Sequence, residues 1–96
     1  MEQYQIDIND SKVYPMGLTQ TDGGIHVSVV AAAKACSLLL FVKEDKNGKE
    51  ARFREVRNIP FPEEGKTGHV WSMTLNGAFD DLYYAFEADG KRFSDP

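Results

Sequence analysis

Apolar and polar residues alternate with a period of two along almost the whole chain, in short runs broken by glycine and proline turns. No stretch of eleven or more residues carries a helical stripe. Successive side chains of a strand point to opposite faces, so such a chain buries its apolar half only by stacking sheet against sheet. Gly17 to Thr21 reads as the first strand. It is closed by Asp22-Gly23-Gly24, where glycine is expected to supply the positive φ of a tight hairpin. In the following run, Ile25, Val27 and Val29 take the inward parity and His26, Ser28 and Val30 the outward one. Ala31 to Ala35 is short and uncapped and reads as a connection.

Cys36 to Val42 is the most apolar run, and Asn47-Gly48 is a hairpin signal leading into Glu50 to Val56. The two prolines of Ile59-Pro60-Phe61-Pro62 argue against a central strand, so a loop is expected there and on through Gly68. Trp71, Met73 and Leu75 then share one parity in Val70 to Leu75, as do Tyr84, Phe86 and Ala88 in Leu82 to Ala88. Asp89-Gly90 turns the chain into Lys91-Arg92-Phe93. About seven short strands in a chain of 96 residues predict an all-β, immunoglobulin-like β-sandwich over residues 13–96. With one cysteine there is no Cys-Trp-Cys spacing of the antibody kind. Residues 1–12 show no periodicity and read as a tail or linker.

Composition narrows the function classes. Fifteen acidic residues against eleven basic ones give a net charge of −4, and no run of Lys or Arg exceeds two, so no nucleic-acid partner is expected. Leu38 to Val42 is far too short to cross a bilayer, so no membrane partner is expected either. The residues after Met1 have neither a basic nor an apolar signal region, so a cytoplasmic location is expected. Cys36 precedes an apolar run and reads as a small buried hydrophobe. One Cys and two separated histidines assemble neither a metal site nor a nucleophile with its base, so no metal, no cofactor and no catalytic residue is expected. His26 and His69 read as surface histidines. The acidic pairs Asp80-Asp81 and Glu63-Glu64 fall in turns, where solvated carboxylates are ordinary.

Two features remain. Trp71 is in register with core residues and reads as an anchor, whereas Tyr83 is out of phase with Tyr84 and Phe86 and is the aromatic nominated as a carbohydrate platform. The strand from Cys36 is apolar on both faces, because Leu39 and Phe41 oppose Cys36, Leu38, Leu40 and Val42. If Val30 and Tyr83 lie in the same sheet, then Val30, Leu39, Phe41 and Tyr83 form an apolar docking patch. Either a partner domain covers it, or the loop around Pro60 or the N-terminal tail folds over it.

The segments Pro15-Met16-Gly17-Leu18, Asp22 to Val29, Ser37 to Phe41, Gly68 to Met73, Tyr84 to Gly90 and Ser94-Asp95-Pro96, in this order and spacing, resemble the isoamylase N-terminal domain. That family is also called carbohydrate-binding module family 48. It precedes the catalytic barrel in pullulanases, isoamylases, glycogen debranching enzymes and branching enzymes of the alpha-amylase superfamily. The resemblance covers residues 14–96 and leans toward the type I pullulanase branch around Val70-Trp71-Ser72. It implies an early-set immunoglobulin-like sandwich, a C-terminal catalytic barrel of the same polypeptide as partner, and α-glucan as a further ligand. Family members that bind glycogen well use two exposed tryptophans and a lysine; this chain has one Trp, in a core register. Three functions are therefore carried forward: a non-catalytic module docked on the barrel, a genuine starch- or glycogen-binding module, and a stand-alone protein-interaction domain.

Overall fold

In the computed structural model, residues 4–7, 14–46 and 50–94 are described, and they form two antiparallel sheets packed face to face. The strands are β1 (Gln5–Asp7), β2 (Gly17–Thr21), β3 (Gly24–Val30), β4 (Cys36–Lys46), β5 (Glu50–Pro60), β6 (Lys66–Thr67), β7 (Val70–Asn76), β8 (Tyr83–Ala88) and β9 (Lys91–Phe93). The first sheet runs β1-β7-β3-β2, with β6 also pairing β7, and the second runs β5-β4-β8-β9. The β-sandwich read from the alternation is the observed architecture.

The core is the sum of the inward parities. Ile25, Val27, Val29, Trp71, Met73 and Leu75 come from the first sheet; Cys36, Leu38, Leu40, Ile59 and Phe86 come from the second, joined by Phe61. Trp71 is buried, and its indole N–H donates to the Ala31 carbonyl at 3.1 Å, so the polar edge of a large ring is not left unsatisfied. The Lys66 ammonium lies 4.7 Å from its ring centroid.

Several local expectations are corrected. Residues 5–7, inside the segment read as a tail, pair with Thr74, Leu75 and Asn76 as an edge strand; three residues are too few to show a period. β5 continues to Pro60, which pairs with Ser37: β5 is an edge strand and Pro60 its last residue, so the missing N–H disrupts no central ladder. Phe61 then turns into the core and its N–H donates to the Cys36 carbonyl at 2.8 Å. The expected loop beyond it is a short 3₁₀ turn, Glu63–Gly65, followed by β6. The Asn47-Gly48 turn lies outside the described residues, between the paired Lys46 and Glu50.

The Asp22-Gly23 hairpin is present, with Thr21 paired to Gly24, but neither Gly23 nor Gly24 has a positive φ. What Gly24 supplies is clearance: a Cβ there would run into the Leu75 carbonyl oxygen of β7. The Asp89-Gly90 turn does use positive φ at both central residues, +49° and +86°, as a two-residue type I′ hairpin requires. The Asp89 carboxylate also accepts from the Lys34 and Ala35 N–H groups at 3.0–3.2 Å, tying the connection after β3 to this turn.

Candidate functional site

The outer face of the second sheet carries the residues nominated from the sequence. Cross-strand register sets them in rows: Tyr83 opposite Phe41, then Ala85 opposite Leu39. A β-bulge between Leu40 and Phe41 shifts the β4–β5 register by one residue, which sets Phe41 opposite Glu55 and Lys43 opposite Phe53 on the same face. Tyr83 is 48 % and Phe53 53 % exposed, and their rings meet edge to face with centroids 5.0 Å apart. Phe41 is half-buried. Together with Tyr84 and Ser94 these rings line a hollow of about 350 Å³.

The other two patch residues do not join it. Leu39 is fully buried although it faces outward. The register sets it between the two partners of a charged strap: Arg92 on β9 reaches Glu87 on the adjacent β8 at 3.5 Å and Glu55 on the far strand β5 at 2.7 Å. The line between these two partners runs diagonally across β8 and β4 through the row of Ala85 and Leu39. Val30 is 60 % exposed but stands on β3 in the first sheet, paired with Val70. Alternation assigns a residue to a face of its strand and is silent on which sheet that strand joins. Phe53 went unnoticed in the sequence; the signal for it was its alternation with Arg52 and Arg54 on a strand whose other side chains are mostly charged.

On the first sheet, His26 is buried, not at the surface as expected. Its Nδ1 lies 2.9 Å from the Thr74 hydroxyl and its Nε2 3.0 Å from that of Ser28, which continues to Ser72 at 2.7 Å. The Tyr14 ring stacks on the imidazole with centroids 4.1 Å apart and closes this outward row from solvent. His69 is exposed. Burial pushes the Cys36 thiol above its ordinary range; the Ser37 backbone hydrogen bond opposes this and the Asp89 charge adds to it, so the thiol is held protonated inside the core. Among the described residues no three His, Cys, Asp or Glu side chains come together in a way that could hold a metal ion.

No family model matches the chain, and no solved structure does. Among curated proteins it is similar to chloroplastic isoamylase 1 of Oryza sativa subsp. japonica, 33% identical over 78 residues that cover 79% of this chain and 9% of that protein. It is likewise similar to chloroplastic isoamylase 1 of Arabidopsis thaliana, 33% identical over 89 residues that cover 88% of this chain and 10% of that protein. The chain thus spans about a tenth of the length of the curated relatives it matches. The expected cytoplasmic location is corrected by the same finding: both relatives are chloroplastic, and the composition of the first residues carries no information on the compartment. The β-sandwich described above is, over most of its length, an isoamylase-related sequence.

Proposed function

We propose that this chain is a non-catalytic accessory module of an α-glucan debranching enzyme, and that it docks through the outer face of its second sheet on the catalytic barrel of the same polypeptide. The observation that carries the reading is the position of the aromatic hollow. Phe53 and Tyr83 are large rings left in water, the half-buried Phe41 lies beside them, and Ser94, the residue after β9, lines the same hollow. A contiguous apolar surface of this kind is normally covered by a partner. The isoamylase relatives, roughly ten times longer than the matched segment, supply the class of enzyme. The docking residues are Phe41, Phe53 and Tyr83, with the Arg92 strap as the polar rim.

A second reading, a true glycogen- or starch-binding module, is favoured by one observation. The paired Tyr83 and Phe53 rings share their face with Lys43, which gives two aromatics and a cation on one surface, although strong binders of the resembling family use two tryptophans and a lysine. Affinity electrophoresis of the chain in glycogen gels separates the two. Docking predicts mobility close to that in a gel without glycogen. Strong retardation abolished by Tyr83→Ala would replace the docking reading with the binding one.

A further inference from the structure

Asn76 is the last residue of β7 and is followed by Gly77, the one Asn-Gly step among the described residues. When the backbone nitrogen after an asparagine attacks the side-chain amide carbon, a small unstrained ring closes. A following glycine, with no Cβ, hinders that attack least. The Asn76 side chain is exposed to water, so nothing shields the carbon that would be attacked.

The attacking atom, in contrast, is restrained. The Gly77 N–H donates to the Gly23 carbonyl of the β2–β3 turn at 2.8 Å. This bond extends the ladder one step past its last rung, where Asn76 pairs with Gly24 on β3 and with Gln5 on β1. While it stands, an acceptor holds the proton that must leave the Gly77 nitrogen, and the peptide plane that must rotate for attack is pinned.

We propose that Asn76 is a site of spontaneous deamidation gated by the Gly77–Gly23 hydrogen bond, suppressed while the end of the β3–β7 ladder is closed and released when it opens. In the open state the Gly77 nitrogen gives its proton to solvent base and attacks Asn76 Cγ. The new N–C bond forms, the bond to the side-chain nitrogen breaks, and that nitrogen leaves as ammonia. Water then adds to one carbonyl of the succinimide and opens it, leaving an aspartyl or isoaspartyl residue at position 76. Either product adds a carboxylate next to Gly77, whose neighbours along the same hollow include Asp22 and Asp80. The isoaspartyl form also lengthens the main chain by a methylene at the rung shared with Gln5 and Gly24. β1 is joined to β7 by three rungs, so it is the strand that conversion loosens.

The test is incubation of the chain in mildly alkaline buffer, native and in urea, with peptide mapping by mass spectrometry to follow position 76. The native rate is expected to be about tenfold or more below the rate in urea, since a hydrogen bond and the adjoining rungs must open first. Gly24→Ala, whose Cβ runs into the Leu75 carbonyl beside this rung, is expected to raise the native rate severalfold, with circular dichroism confirming that the variant is folded. Should that variant not fold, protection of the Gly77 amide against hydrogen exchange in the parent chain reads the same gate. The converted fraction, separated by its extra negative charge, is expected to melt a few degrees lower. Equal rates in native buffer and urea, or an unprotected Gly77 amide, would overturn the gate. Absence of conversion at position 76 in urea would overturn the site itself, and an unchanged melting temperature would overturn its coupling to β1.

Discussion

Gly24 and His26, two residues apart on β3, mark where residue-level inference succeeds and where it stops. The glycine pair after Asp22 announced a hairpin correctly, but by the wrong physics: positive φ was expected and steric clearance is what the fold uses. That distinction is measurable. Gly24→Ala places a Cβ against the Leu75 backbone, which cannot move without disturbing the β3–β7 ladder, and is expected to cost about 2–3 kcal/mol. Gly23→Ala meets only the flexible Asn76 side chain, at 3.4 Å, and is expected to cost under about 1 kcal/mol. Urea unfolding of the two variants checks this; equal losses would return the explanation to turn conformation. His26 was assigned to the right face of its strand and to the wrong environment. Its burial depends on Tyr14, twelve positions earlier and stacked across the sheet, and no periodicity within β3 encodes that. Trp71 was legible because its partners Met73 and Leu75 sit in its own strand.

At the scale of the element, β4 is the strand whose two apolar faces first suggested a partner. One face packs into the core through Cys36, Leu38 and Leu40, as its alternation required. The other is divided: Leu39 is buried in the row between the two partners of Arg92, and only Phe41 continues into the open hollow. The sequence could not show this division, because the strap joins β9 to β5, positions 92 and 55, and becomes visible only once β8 and β4 are placed between them. Exposed ion pairs contribute little, about 0–1 kcal/mol, and Arg92 is 57% exposed. The larger contribution expected of it is cover by the whole side chain for the row of Ala85 and Leu39, which the register sets between its two partners. Arg92→Ala is therefore expected to destabilise by about 1–1.5 kcal/mol with weak dependence on salt, whereas Arg54→Ala, which breaks the exposed 3.2 Å pair with Glu44, is expected to cost less than about 0.5 kcal/mol. Chemical denaturation at low and high ionic strength measures both. A loss at Arg92 that vanishes in salt would mean the pair is purely electrostatic and Leu39 has another cover.

For the whole molecule, the consequence is an uneven surface. Ile6, Met16 and Val30 are exposed on the side of the first sheet, whereas on the second Phe53 and Tyr83 meet each other, with the half-buried Phe41 beside them, in one hollow lined by Ser94. The sandwich itself needs nothing there, since its core is complete between the sheets. Those rings can be made polar without loss of fold, which separates docking from stability in one experiment. The chain as it stands is expected to self-associate with rising concentration in sedimentation velocity, because two such hollows can cover each other when no partner does. Phe53→Ser/Tyr83→Ser is expected to remain monomeric over the same range, with a melting temperature within a few degrees of the parent. A parent chain that stays monomeric would show that these rings are adequately solvated, and the docking reading would lose the surface on which it stands. A double variant that unfolds would assign Phe53 and Tyr83 to the architecture of the β4–β5 hairpin, where their 5.0 Å ring contact would be serving the sheet itself.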